Sequence, residues 1–86
     1  MKRAVFPGSF DPLTLGHCEI IEKAADVFDQ VIVSVGNNSD KKYRFSIDQR
    51  LNFIASEFKN NSRILVEKYD GLTAEFCKLK KINHIV

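Results

Sequence analysis

A chain of 86 residues, 44% hydrophobic and 28% charged with a formal net charge of +2, has the composition of one small globular domain. That charge is too mild for nucleic acid or a membrane surface to be the main partner, and no apolar run approaches the ~20 residues of a membrane span. Met1-Lys2-Arg3 is followed by only three apolar residues before Pro7, which does not read as a signal peptide, and Cys18 and Cys77 stand alone without metal-ligand spacing, so a cytoplasmic protein is expected.

In chain order, Lys2 to Phe6 reads as a short strand. The stretch from Phe6 to His17 (Phe-Pro-Gly-Ser-Phe-Asp-Pro-Leu-Thr-Leu-Gly-His) then holds both prolines and two of the four glycines. A helix is predicted from Leu15 to Phe28, capped by Thr14, with Ile20, Ile21, Ala24, Ala25 and Phe28 on one face. Val31-Ile32-Val33-Ser34-Val35 is apolar and β-branched enough for a strand covered on both faces. Gly36 to Asp40 is turn material, and Lys41-Lys42-Tyr43-Arg44 is cationic. Ser46 with Gln49 matches a capping box, which opens a helix from Ile47 to about Lys59 with Ile47, Leu51, Ile54, Ala55 and Phe58 inward. Ile64-Leu65-Val66 is a third strand, Asp70-Gly71 a turn, Leu72 to about Lys80 a third helix, and Ile82 to Val86 a fourth strand. The order β-α-β-α-β-α-β predicts an α/β, Rossmann-like doubly wound parallel sheet with helices on both faces, residues 1–86 forming part of a single domain. The loops after the first three strands then open on one sheet edge, where such folds bind ligands.

The chemistry sits on that edge. A strand, a tight turn and a helix start in quick succession leave unpaired helical N–H groups and the positive end of the helix dipole facing outward, which suits an anion. His17, in the first helical turn, can donate a hydrogen bond to a phosphate oxygen, or it can be a packing residue. Ser9 reads equally as a phosphate ligand and as a turn serine, and Asp11 before Pro12 reads as a turn former. Charge runs such as Lys41, Lys42 and Arg44 are usually solvated surface, but their place on this edge makes at least one of them a candidate for a second phosphate. Neither GxxxxGK[ST] nor GxGxxG is present, so a phosphate site here belongs to another class.

Gly8-Ser9-Phe10-Asp11-Pro12 followed by Thr14-Leu15-Gly16-His17 resembles the signature of the nucleotidylyltransferase superfamily, G-[ST]-F-D-P…[HT]-x-G-H. Thr14 and the Asp11-Pro12 pair look most like the bacterial pantetheine-phosphate adenylyltransferase family, and the similarity continues in register through Lys41-Lys42, Phe45-Ser46, Arg50 and Gly71-Leu72. The resemblance implies transfer of the adenylyl group of ATP to 4′-phosphopantetheine, giving dephospho-CoA and pyrophosphate, with Mg2+. It implies His17 as transition-state stabiliser, Ser9, Phe10 and His17 at ATP, and Ser9, Lys41 and Thr73 at the acceptor, with no metal ligand among them. It also implies a homo-oligomer, hexameric in the full-length family.

In that family the strand matching Ile82 to Val86 is followed by an R-G-x-R segment and later by an ISS-type segment, and residues 1–86 contain neither. The chain is therefore expected to be the N-terminal half of the enzyme, inactive or weakly active alone. Two other readings compete with it: a non-catalytic nucleotide- or phosphate-binding module, and a related nucleotidylyltransferase with another acceptor.

Overall fold

Residues 2–38, 41–69 and, as backbone, 84–85 are described by the computed structural model. Strand β1 spans Arg3–Gly8, helix α1 Leu15–Val27, β2 Gln30–Gly36, α2 Ile47–Glu57, β3 Ile64–Tyr69 and β4 His84–Ile85. All strand pairs are parallel, in the order β3-β2-β1-β4. The direction of strand succession thus reverses at β1, which has β2 on one side and β4 on the other. The carboxyl end of β1 is therefore the switch point at which an open α/β sheet binds ligands.

Both helices start where side chains supply the missing partners. Thr14 caps α1 by accepting from the His17 N–H, and Ser46 caps α2 by accepting from the Gln49 N–H while Gln49 reaches back to the Ser46 N–H. Ser46→Ala is expected to cost about 1 kcal/mol and to lower Tm by roughly 4–8 °C. A thermal melt unchanged within about 1 °C would show that the cap carries no weight. At the other end of α1, the Phe28 N–H donates to the Ala24 carbonyl at 2.8 Å, and Arg63 Nη1 donates to the Ala25 carbonyl at 3.2 Å.

The main core lies on one face of the sheet. Val31, Val33 and Val35 of β2 meet Ile21, Ala24 and Ala25 of α1 and Ile54 and Phe58 of α2. Val5 and Ile32 are buried on the opposite face, with Tyr69 against them. Both described helices therefore cover the same face; the expected third helix, Leu72 to Lys80, lies outside the described residues.

Several expected boundaries and faces shift. β1 runs through Pro7 to Gly8 rather than stopping at Phe6. Its pairing with β4 covers only Ala4 and Val5, so beyond Val5 it has one described neighbour and the missing N–H of Pro7 is tolerated. β3 continues through Glu67, Lys68 and Tyr69, because an edge strand accommodates charged residues that a central strand would not. Ile20 and Ala55, expected inward, are exposed. Arg50, inside the apolar stripe of α2, is buried instead.

Candidate anion-binding site at the switch point

The loop between β1 and α1 is built around two aromatic rings. Phe10 adopts φ = +49° and tucks its ring inward, where it is 2% exposed. A Cβ on Gly8 would approach that ring to 3.0 Å, a tight contact that glycine avoids. The Phe10 ring packs against Phe6 at 5.6 Å between centroids and edge-on to the His17 imidazole at 5.0 Å. The peptide bond Asp11–Pro12 is cis. Ser9 remains exposed at the end of β1.

His17 closes a reciprocal cap. Its Nδ1 accepts from the Thr14 N–H at 3.1 Å and lies 3.1 Å from Thr14 Oγ1, which itself accepts from the His17 N–H at 3.3 Å. A backbone N–H can only donate, so Nδ1 carries a lone pair and the neutral ring holds its proton on Nε2. The half-buried imidazole, steadied by Phe6 and Phe10, thereby offers one N–H donor beside the open end of α1. A Cβ at Gly16 would meet only Thr14 Oγ1, at 3.7 Å, so that side of the helix start is uncrowded. Next to His17, burial pushes the Cys18 thiol above its usual pKa, and Glu57 and Glu22 push it further, which keeps it a neutral thiol.

The second loop, between β2 and α2, opens on the same edge and is tied to the first. Asp11 accepts from the backbone N–H of Arg44 through Oδ2 and from that of Phe45 through Oδ1, the latter at 2.8 Å. Arg50, 1% exposed, donates from Nη1 to the carbonyls of Ser9 at 3.0 Å and Gly36 at 2.9 Å. Its Nε donates to the Phe45 carbonyl at 3.1 Å and its Nη2 to Asn37 Oδ1 at 3.2 Å, with the guanidinium 3.9 Å from the centre of the Tyr43 ring. Lys41 is exposed on this loop, its N–H donating to the Asn38 carbonyl at 3.0 Å.

Of the expected site residues, Ser9 and Phe10 thus share one loop, His17 stands in the first turn of the helix that this loop enters, and Lys41 lies on the neighbouring loop bound to it. Thr73 lies outside the described residues. Asp11 proves to be more than a turn former, and Arg50 joins the site region without having been assigned a part in it. Its signal was an arginine three residues after Ile47 and four before Ile54, in the middle of an apolar stripe. Among the described residues no group of three His, Cys, Asp or Glu side chains could hold a metal ion, and both oxygens of Asp11 are engaged by backbone. No helix among them is long and apolar enough to cross a membrane.

Known proteins sharpen this picture. The chain is 54% identical over 86 residues to the phosphopantetheine adenylyltransferase of Christiangramia forsetii, covering all of this chain and 57% of the relative. It is 49% identical over 78 residues to that of Flavobacterium psychrophilum, covering 91% and 52% respectively. The chain thus spans about half the length of the curated relatives it matches. Among solved structures it resembles the NadR protein in complex with NAD and AMP-PNP, with a TM-score of 0.73 at 22% identity over 80% of this chain and 20% of that one. It also resembles a bifunctional NMN adenylyltransferase/ADP ribose pyrophosphatase from Francisella tularensis, complexed with AMP and a manganese ion, with a TM-score of 0.68 at 25% identity over 93% and 26%. These likenesses bear out the α/β nucleotidyltransferase fold. The cytidylyltransferase-like family model matches residues 5–86, nearly the whole chain and all of the loop that carries His17, and the chain belongs to that family.

Proposed function

We propose that this chain supplies the nucleotide-binding loop and part of the acceptor site of an enzyme that transfers the adenylyl group of ATP to 4′-phosphopantetheine. A phosphate oxygen of the acceptor attacks the α-phosphorus of ATP, the bond from that phosphorus to the β-phosphate bridge breaks, and dephospho-CoA and pyrophosphate result. The observation that carries this reading is the Thr14–His17 cap, which leaves a single imidazole N–H donor at a helix N-terminus on the switch-point edge. His17 would hold the nucleotide phosphates as charge builds on them. Ser9 and the Phe10 backbone would bind ATP beside it, with Ser9 also reaching the acceptor phosphate, and Lys41 and Thr73 would hold 4′-phosphopantetheine. Nothing in this scheme needs a covalent intermediate, so the protein's part is alignment and charge stabilisation.

In this reading Mg2+ arrives with ATP as part of the substrate. The names of the relatives support the adenylyl transfer itself; a cytoplasmic, hexameric enzyme of coenzyme A synthesis completes the proposal. A coupled pyrophosphate-release assay tests it on two proteins, the 86-residue chain and a chain extended past Val86 to the length of those relatives. Turnover is expected with ATP and 4′-phosphopantetheine from the extended chain, and little or none from the short one. An extended chain that folds but releases no pyrophosphate with these two substrates would overturn the assignment.

A further inference from the structure

Arg50 is the only charged side chain in the described core, and its position is costly. A buried guanidinium normally faces a carboxylate; here the four acceptors are three backbone carbonyls and one side-chain amide. Ordinary packing does not account for such a group, since an apolar side chain of similar length could fill the same space. What an apolar residue could not do is hold three carbonyls from three separate places at fixed angles. A planar guanidinium with donors on several edges can, and a lysine ammonium cannot reproduce that geometry.

The carbonyls it holds belong to the two site loops. Ser9 lies at the head of the first loop, while Gly36, Asn37 and Phe45 bracket the second. The Ser9 carbonyl and the Phe10 N–H are opposite ends of one trans peptide, so fixing the first turns the second away from the buried guanidinium. A cation on the oxygen also polarises that N–H as a donor. Asp11 fastens the same two loops in the reverse direction, its carboxylate on the first loop gripping the N–H groups of Arg44 and Phe45 on the second.

We infer that Arg50 is a positioning residue for adenylyl transfer: together with Asp11 it locks the ATP-binding loop of Ser9, Phe10 and His17 to the loop of Lys41, setting nucleotide and acceptor in line. This rests on the proposed reaction.

The test is steady-state kinetics on the extended chain, comparing wild type with Arg50→Met, Arg50→Lys and Asp11→Asn, each checked by thermal melt. Arg50→Met is expected to lower kcat on the order of 10²-fold while KM for ATP and for 4′-phosphopantetheine stays within about threefold, because the loops still bind but no longer align. Arg50→Lys keeps the charge and is expected to recover less than about a tenth of the lost rate. Asp11→Asn removes one of two loop contacts and is expected to lower kcat about tenfold, with a combined Asp11→Asn and Arg50→Lys variant no worse than about the poorer single one. Folded Arg50 variants with kcat within about threefold of wild type, or a rise in KM alone, overturn the inference. If neither Arg50 variant folds, Asp11→Asn decides: unchanged kcat overturns it. Inactive wild type overturns the proposed reaction and this inference together, whereas active wild type with active variants overturns this inference alone.

Discussion

Replacing His17 with alanine, in a chain extended past Val86, is expected to lower kcat for pyrophosphate release by on the order of 10²–10³. The estimate is that for one preorganised donor aimed at developing charge, and the Thr14–His17 geometry makes the donor preorganised: Nδ1 is occupied by the Thr14 N–H, so the Nε2 proton cannot migrate without breaking the cap. Alanine removes the cap as well as the donor, so a lower Tm is expected alongside the lost rate. His17→Gln separates the two. Glutamine at the third helical position is the usual partner in a capping box, and its side-chain oxygen can accept from the Thr14 N–H. The glutamine variant should therefore recover most of the Tm lost by the alanine variant and little of the rate. Rate recovery to within about threefold of wild type by His17→Gln would assign His17 to helix capping alone.

The second large effect concerns stability. Ile54 is fully buried where α2 meets the sheet, in the cluster containing Val33, Val35 and Phe58. Truncation to alanine removes three carbons from a site held by helix on one side and strand on the other, and is expected to cost about 2–5 kcal/mol. By the usual yield per residue, 86 residues contribute only about 4–13 kcal/mol, so this one change takes a large share of it. A fall in Tm of at least about 10 °C follows. Leu65, 39% exposed on the edge strand, provides the contrast: Leu65→Ala should move Tm by less than half as much. Equal shifts for the two variants would mean that the cluster around Ile54 is not the stabilising centre.

Much of this was readable in the chain itself, for local reasons. Thr14, Ser46 and Gln49 mark helix starts through bonds to backbone two or three residues away, and a continuous β-branched run such as Val31 to Val35 has few alternatives to a covered strand. The loop signature brought Ser9, Phe10 and His17 together because they are close in sequence. What stayed hidden depends on contacts that leave no side-chain pattern. Arg50 bonds carbonyls 14 and 41 residues away, and every residue has a carbonyl. Asp11 likewise meets N–H groups 33 and 34 residues on. On α1, four of the five residues expected inward face the core and one does not: Ile20 is 46% exposed while Cys18 packs partly against the core, since helical spacing alone leaves the rim of an apolar stripe undecided.

The strand order has a kinetic side. β1, β2 and β3 are joined by two crossovers and can pair once residue 69 has emerged from the ribosome, but the second edge of β1 is covered by pairing Ala4 and Val5 with His84 and Ile85. At about 5–20 residues per second the interval between residues 69 and 84 lasts roughly 1–3 s. During it, β1 presents an open edge, and β1 is the strand whose carboxyl end leads straight into the loop of Ser9 and Phe10. Nascent chains should therefore be most prone to strand-to-strand association in this window, and holding synthesis there should raise the aggregated fraction.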